Sequence, residues 1–574
     1  MSKIKPKRAF ASEHFDSFDG LGSQRQKNRH HASSIINFRI TADGSLKKRG
    51  GYSRFCAYPK KIRAFWRGQI NQMNYQFAVC DTEVYVSDVD SGTPIVIDTV
   101  SSSTGEISFW RYGDELYLLD GGQIRVFSPT LRKFEAVTPY VPLYGRNWDP
   151  TNRGSMYESF NQLTTHIRVT YENPNNATVF NLPFACKRIV GVRVNAREVT
   201  DYTHQSYGST VTIPASSTGY IVEIAMEPVI SLLDEDLRSA RRALTVTAQN
   251  QNTPILYATD AGDRLYPASP ITQHELYSCR VLYPNAKPLY FKEKNILQIG
   301  DSEHPLYSLC RYGDRILAYS GLGTWMLSCT DDAPDRYIPT PLPGSTTSTA
   351  PKTAITVKGT PVVVNNGGIF LMEIPRNDTD QPQIEKISDP VEDYLSPSFS
   401  ENSIAWENKQ FSEIWFRDPT QESSPVLVYQ YLLKQWYLFD NICATDFIDQ
   451  PIGTLFVAGD TVEQINDALT TDNGEEIIAS YQSGYFSFSH PEAQKRALRM
   501  VACAKVRPEE GGCYLHLESE NAQASFSLQG AGEDAPDYFD RRVLFGRFRF
   551  LRFRILMGGE GADEIHSISF YANL

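Results

Sequence analysis

Apolar and polar positions alternate with a period near two over most of this chain, in short runs punctuated by Gly, Asn and Asp. That is the pattern of short strands joined by turns. The runs come in pairs. Asn74–Asp88 contains two strands joined at Asp81-Thr82, Ala354–Ile374 turns at Asn366-Gly367, Phe411–Asp440 is a longer pair ending in aromatics, and Gly453–Asp467 repeats the theme. Two of the pairs share more. Phe109–Ser128 and Leu309–Ser328 both read Arg-Tyr-Gly-Asp, an apolar run, a Gly-rich turn and a second apolar run. The match predicts equivalent strands of two copies of one unit, with Gly and Asp in the turn and Tyr between sheets. A lone hairpin is marginal in water. Radial stacking covers both faces of such units and leaves only short edges. The expected fold is therefore mainly β, an irregular β-propeller of five to seven blades.

Three stretches depart from this rhythm. His166–Pro228 alternates as a small antiparallel sandwich with turns at Asn173–Asn176, Asn195-Ala196 and Gly208-Ser209, an insertion of the kind loops accommodate. The last hundred residues predict a C-terminal β-sandwich. Pro228–Gln249 is the best helix candidate, with Leu232, Leu233, Leu237 and Ala240 near one face and Asp234, Glu235 and Asp236 in its first half. A short, irregular helix is a further expectation within Phe10–Ile36. The expected organisation is a basic arm with docking strands over 1–55, first blades over 56–150, the inserted sandwich over 155–230, remaining blades over 231–470, and the C-terminal sandwich over 475–574.

At 574 residues the chain exceeds one ordinary core, and 31 Tyr with 30 Phe suit strands better than helices. No apolar run reaches the ~18–20 residues of a membrane helix, and the basic N-terminus has no apolar stretch behind it, so synthesis in a cytoplasm is expected. The nine Cys are scattered without CxxC spacing, which predicts buried, reduced thiols. Residues 1–70 carry a net charge of +12 and the remainder −23. The acidic body should repel nucleic acid. Lys3, Lys5, Lys7, Arg8, Arg25, Lys27 and Arg29 make the basic end a candidate docking arm, and deleting residues 1–32 should leave a folded subunit.

Candidate chemistry is thin. Arg547, Arg549, Arg552 and Arg554 interleave with Phe548, Phe550, Phe553 and Ile555, slipping at Leu551 as a bulge would cause. Period two places Phe and Arg on opposite faces, so a nucleic-acid stacking platform is disfavoured. A strand with buried Phe and with Arg paired to Glu533, Asp534, Asp537 and Asp540 is expected. Asp331, Asp332 and Asp335, and Asp378 with Asp380, could supply the carboxylates of a glycan hydrolase, but they sit in polar loops where acids are common. His30-His31 belongs to the basic arm. No HExxH, P-loop, dinucleotide fingerprint or GxSxG occurs. No catalytic residue, metal or cofactor is expected, and the chain is not expected to be an enzyme.

Ser33–Phe55 is the most specific segment. It predicts a strand over Ile35–Ile40, a turn at Ala42-Asp43-Gly44, a second strand from Leu46 with Lys47, Lys48 and Arg49 along an edge, and a Gly50-Gly51 bend. Asn37 followed by Gly44, Leu46, Arg49, Gly51 and Tyr52 resembles the opening of the tail nozzle proteins of short-tailed phages (tail tubular protein B, or packaged-DNA stabilisation hub), where a G-x-L-x-x-R-x-G-Y pattern follows an Asn-rich strand. Gly50 stands where those proteins often have Pro. Pro183-Phe184, Val192–Asn195 and Asp201-Tyr202 resemble a small β-domain of some phage tail fibres. The resemblance implies a virion structural protein, assembled in the host cytoplasm into a homo-oligomeric ring, usually a hexamer, at the distal end of the tail tube. Its implied partners are the adaptor ring, tail fibres or spikes, and genomic DNA retained in and ejected through the lumen without sequence-specific binding. A different class, a receptor- or glycan-binding propeller with or without depolymerase activity, and a bacterial propeller scaffold are the competing expectations.

Overall fold

The computed structural model describes residues 10–22, 31–87, 93–248, 251–301, 303–330, 333–375, 381–450, 453–496, 498–506, 512–528, 537–543, 546–559 and 564–574. The fold is mainly β-strand, arranged in several sheets. The chain divides into two compact units: residues 63–347, and residues 1–62 together with 348–574.

In the 63–347 unit, four sheets are each built from four strands, spanning 62–99, 108–136, 242–298 and 306–341. Consecutive sheets share apolar cores, and period two explains how. In Glu115–Leu119, Leu116 and Leu118 join Phe77 and Val79 of the preceding sheet, while Tyr117 and Leu119 join Leu256 and Tyr266 of the following one. In Gln251–Tyr257, Ile255 faces the other way and packs with Leu309 and Ile316. Because both faces are covered, these interior strands read as nearly continuous apolar runs. The two Arg-Tyr-Gly-Asp segments occupy the same place, the turn between first and second strands. Tyr112 pairs with Glu115 and Tyr312 with Arg315, so each turn has two central residues. Gly113 and Gly313 take φ of 61° and 62°, the left-handed first position of a tight hairpin turn. Tyr112 stacks on Trp110 at 5.4 Å, on the face turned to the 242–298 sheet.

The same unit holds a five-stranded sheet, in the order 143–148, 167–172, 221–228, 186–194 and 197–198, and a three-stranded sheet of 179–181, 210–212 and 203–204. They share a core that includes Ile167, Tyr171, Phe180, Val192 and Ile224. Leu143–Trp148 pairs parallel to Ile167–Glu172, upstream of the stretch whose alternation was legible. The helix expected over Pro228–Gln249 is reduced to Glu235–Arg238, capped by the Asp234 side chain. Arg242–Ala248 is instead a strand paired with Gln251–Tyr257. Leu-Thr-Val-Thr ends in three consecutive β-branched residues, and burying Val246 outweighs the helical spacing of the leucines before it.

The other unit combines both ends of the chain. Thr356–Val357 through Gln383–Lys386 form a fifth four-stranded sheet. The sixth run, 404–439, continues through Ala32–Ile36 into Ala479–Ser483, Leu551–Met557, Cys513–Ser519 and Gln523–Leu528, a nine-stranded sheet. In a seventh run, Asp446–Gln450, Gly453–Ala458 and Thr461–Asn466 accept Gly51–Ala57 as their fourth strand. A further sheet joins Phe38–Ile40, Leu46–Lys48, Glu564–Asn573, Leu498–Lys505 and Asp537–Val543, with Phe10–Phe15 also paired to Glu564–Asn573.

The described parts of Phe10–Ile36 therefore contribute strands, Phe10–Phe15 and Ala32–Ile36, where a helix was expected. Phe15 lies at the centre of the apolar core, 5.3 Å from Phe486, 4.9 Å from Phe553 and 6.2 Å from Phe570, ring to ring. Leu551–Met557 begins where the Phe/Arg alternation slips, with Phe553, Ile555 and Met557 buried. The acids expected opposite its arginines need correction. Arg552 pairs with Glu518 at 2.7 Å, and Asp540 pairs with Arg499 at 2.8 Å, because antiparallel register places Cys513–Ser519 beside Leu551–Met557 and Leu498–Lys505 beside Asp537–Val543. Glu533 and Asp534 lie outside the described residues.

Candidate functional site: the N-terminal motif

The motif residues converge on one buried polar knot. Asn37 breaks the strand expected over Ile35–Ile40 by adopting a left-handed φ of 57°, which Asn tolerates well. Its amide N–H donates to Leu438 O at 2.8 Å, and its side-chain Nδ2 donates to Asp440 and to Ile478 O. Its Oδ1 accepts from Arg49 Nε at 2.8 Å and from the Asp440 amide at 3.1 Å. Arg49, expected along an edge, is instead buried. It grips Asp472 with two hydrogen bonds of 2.9 and 2.6 Å and donates to the Asp440 carbonyl at 2.9 Å. Lys48 is buried beside it, its ammonium donating to Gly559 O, so only Lys47 of the basic triplet is exposed. The reason is register: Leu46–Lys48 is an interior strand between Phe38–Ile40 and Glu564–Asn573.

Each remaining motif residue shapes the backbone around this knot. Gly44, at φ 83°, closes the Thr41–Ser45 turn, and its carbonyl accepts from Phe18 N at 2.8 Å. Leu46 is fully buried opposite Ile565. A β-carbon at Gly51 would stand 1.9 Å from the Thr471 carbonyl oxygen, so only glycine lets the chain pass. Tyr52 packs edge-on against Phe456 and donates its hydroxyl to Asn441 O at 2.7 Å. Burial, with Asp472 nearby, pushes its phenol above the usual range, so it stays a donor.

Arg39 was not singled out by sequence reasoning, yet it builds a second buried network beside the first. It pairs with Glu413 at 2.8 Å and Asp467 at 2.9 Å and lies 3.9 Å over the Phe411 ring. Glu413 also accepts from Trp415 Nε1 and the Tyr437 hydroxyl, at 2.7 and 2.6 Å. Burial works against the Arg39 charge, but Glu413 and Asp467 outweigh it and hold the guanidinium above its usual range. The available signal was an arginine set between apolar Phe38 and Ile40 in a three-residue strand. The candidate docking residues Lys3, Lys5, Lys7, Arg8, Arg25, Lys27 and Arg29 lie outside the described residues, as do His30, Asp331, Asp332, Asp378 and Asp380. The backbone of Asp335 belongs to the strand Ala333–Pro341.

One pair elsewhere has the look of a nucleophile and its base. Cys186 Sγ lies 3.1 Å from His204 Nε2, and His204 Nδ1 is 2.9 Å from Thr210 O. The environment argues against reactivity: burial pushes the thiol up to about 11, the opposite of what an activated cysteine needs. Iodoacetamide at about pH 8 is expected to label exposed Cys443 rapidly and Cys186 only after unfolding, read by peptide mass mapping. Equal labelling of the two in the native chain would contradict this. The exposure of Cys443 also corrects the expectation that all nine thiols are buried. No group of three or more His, Cys, Asp or Glu residues suited to a metal ion stands among the described residues.

No protein-family model matches the chain, and no curated protein matches it. Solved structures match only loosely. The extracellular domain of a one component system from B. thetaiotaomicron is 12% identical with a TM-score of 0.19, over 77% of this chain and 57% of that one. A structure described as a glycoside hydrolase is 12% identical with a TM-score of 0.16, over 90% and 99%. An exo-beta-1,3-galactanase from Phanerochaete chrysosporium is 8% identical with a TM-score of 0.17, over 82% and 96%. Likenesses at this level carry no argument about fold or chemistry.

Proposed function

We propose that this chain is a structural subunit of the tail nozzle of a short-tailed phage. In this reading the seven strand runs are blades of one β-propeller, with Gly51–Ala57 fastening the end of the circle to its beginning. The sheets around Ile167 and around Phe553 are accessory domains turned toward tail fibres. Copies of the chain meet head-to-tail in a ring, and such heterologous contacts must close. The acidic bulk of the chain suits a lumen through which DNA slides, and the basic N-terminal residues suit an acidic face of the adaptor ring. No catalytic step is assigned.

The observation that carries the proposal is the shared task of the motif residues. Of the residues that bear the resemblance, Asn37, Arg49, Gly51 and Tyr52 lock the N-terminal strands to Thr461–Asn466 and Asp472, while Gly44 and Leu46 seat the same strands against Phe18 and Glu564–Asn573. Negative-stain images of the purified chain, alone and with its adaptor protein, test it. Rings or short tubes are the expected result. Particles that stay single with the adaptor present and coat polysaccharide instead would replace this reading with a glycan-binding one.

A further inference from the structure

A groove of about 350 Å³ crosses the solvent face of the C-terminal strands, far in the chain from the N-terminal motif. Its floor is a single row of side chains set by register. Gln482 lies opposite Arg554, Arg554 opposite His516, and His516 opposite Ser525, so four adjacent strands each contribute one polar group. Most of these groups are held in place. Gln482 Nε2 donates to Ser33 Oγ at 3.1 Å, and His516 Nδ1 meets Ser525 Oγ at 2.7 Å, leaving Gln482 Oε1 and His516 Nε2 without a partner among the described residues. Next to the row, Arg552 is tied to Glu518 at 2.7 Å. Arg554 differs: it is exposed, and its side chain makes no hydrogen bond or ion pair among the described residues. With Arg552 neutralised by Glu518, the groove keeps one positive charge without a counter-ion among the described residues. Two exposed tyrosines neighbour residues that line it. Tyr514, 46% exposed, lies nearly parallel to the His516 ring, and Tyr485, 51% exposed, lies under the Arg552 guanidinium at 4.7 Å.

We propose that this groove binds a uronic-acid unit of an acidic polysaccharide, with the sugar carboxylate on Arg554, ring hydroxyls on Gln482, His516 and Ser525, and the apolar sugar face on Tyr514. An arginine fork suits a planar carboxylate. An amide oxygen, an imidazole nitrogen and the remaining hydrogen-bonding capacity of the Ser525 hydroxyl, in a fixed row, suit the hydroxyls of a pyranose, and the volume suits one or two sugar units. A peptide fits less well, because backbone pairing would be to the outer strand Gln523–Leu528 and would leave the row of Gln482, Arg554 and His516 on the sheet face unused. A nucleic acid fits less well, because a single surplus charge with the Glu518 carboxylate in the wall opposes a polyphosphate. The assignment stands on the groove alone and does not depend on ring assembly.

Full-length chain binding to immobilised polygalacturonate tests it. The parent chain is expected to bind. Arg554→Gln is expected to weaken binding about tenfold or more, the loss of one charge-assisted hydrogen-bonded contact. Tyr514→Ala should weaken it too, while Arg541→Gln, on a strand of the other sheet, should not. Carboxyl-reduced polygalacturonate should not bind. Thermal melts of both groove variants verify folding; should Arg554→Gln not fold, the carboxyl-reduced polymer reads the same contact, and Gln482→Ala reads a hydroxyl contact of the same row. Absence of binding, binding indifferent to Arg554→Gln, or equal competition by dextran sulfate, polyglutamate or single-stranded DNA would each overturn the proposal.

Discussion

Replacing Arg49 with Met is expected to destabilise the unit containing both chain ends by about 3–5 kcal/mol, the cost of leaving a buried charge without its partner. Arg49 and Asp472 are each 2% exposed, and water cannot screen or replace the pair. Asn37 Oδ1 loses one of its two donors, and the Asp440 carbonyl loses the Arg49 donor, in the same step. Asp472→Asn should cost a comparable amount by stranding the guanidinium. The double change Arg49→Met with Asp472→Leu should cost clearly less than the sum, since no charge then remains to be solvated. Arg49→Lys should recover only part, because an ammonium cannot reproduce the two-pronged contact. Urea unfolding followed by Trp fluorescence measures these differences. Single variants within about 0.5 kcal/mol of the parent, the range of ordinary surface changes, would show that the knot is not a fastening.

The second large effect concerns where the N-terminal arm ends. Removing residues 1–32 was expected from sequence to leave a folded subunit; the structure leads to the opposite expectation. The deletion takes away Phe10–Phe15, which runs antiparallel to Glu564–Asn573 through six paired positions. It also removes Phe15, Phe18 and Leu21 from the core. Emptying one buried Phe site costs about 3–5 kcal/mol, and two such losses rival the about 5–15 kcal/mol that holds a typical domain. The truncated chain should aggregate or lose cooperative unfolding of that unit. Removing residues 1–9 should leave both units folded. Adaptor docking is therefore better probed by changing Lys3, Lys5, Lys7, Arg8, Arg25, Lys27 and Arg29 to Gln in the full chain, which should fold normally and fail to join the adaptor ring. A soluble, cooperatively folding 33–574 fragment would refute the structural part of this account, and normal docking by the charge-free variant would refute the functional part.

Much of the local architecture was legible because its causes are local. Gly113 and Gly313 mark tight turns since only a left-handed residue joins twisted strands in two positions, and Asn195-Ala196 closes the Val194–Arg197 hairpin in the same way. The helix Gln273–Leu282 was missed although Thr272 and Glu275 have the spacing of a capping box, and Thr272 Oγ1 does accept from the Glu275 amide at 3.1 Å. The helix expected before Gln249 failed because helical spacing over a few leucines is weak evidence against a β-branched run that can pair. Arg49 was misplaced for a different cause. A basic triplet beside glycines resembles a solvated edge until its partners are known, and the partner of Arg49, Asp472, lies in a distant part of the chain.

The sequence alone determined that this protein is made of short paired strands with defined turns, because side-chain period and turn conformation depend on neighbouring residues. Only the tertiary structure decided which strands meet. Gly51–Ala57 completes a sheet whose other members begin at Asp446, Arg49 finds Asp472, and Gln482, Arg554, His516 and Ser525 line up from four separate strands. Such pairings are selected by burial and charge compensation across hundreds of residues, and no local pattern encodes the partner.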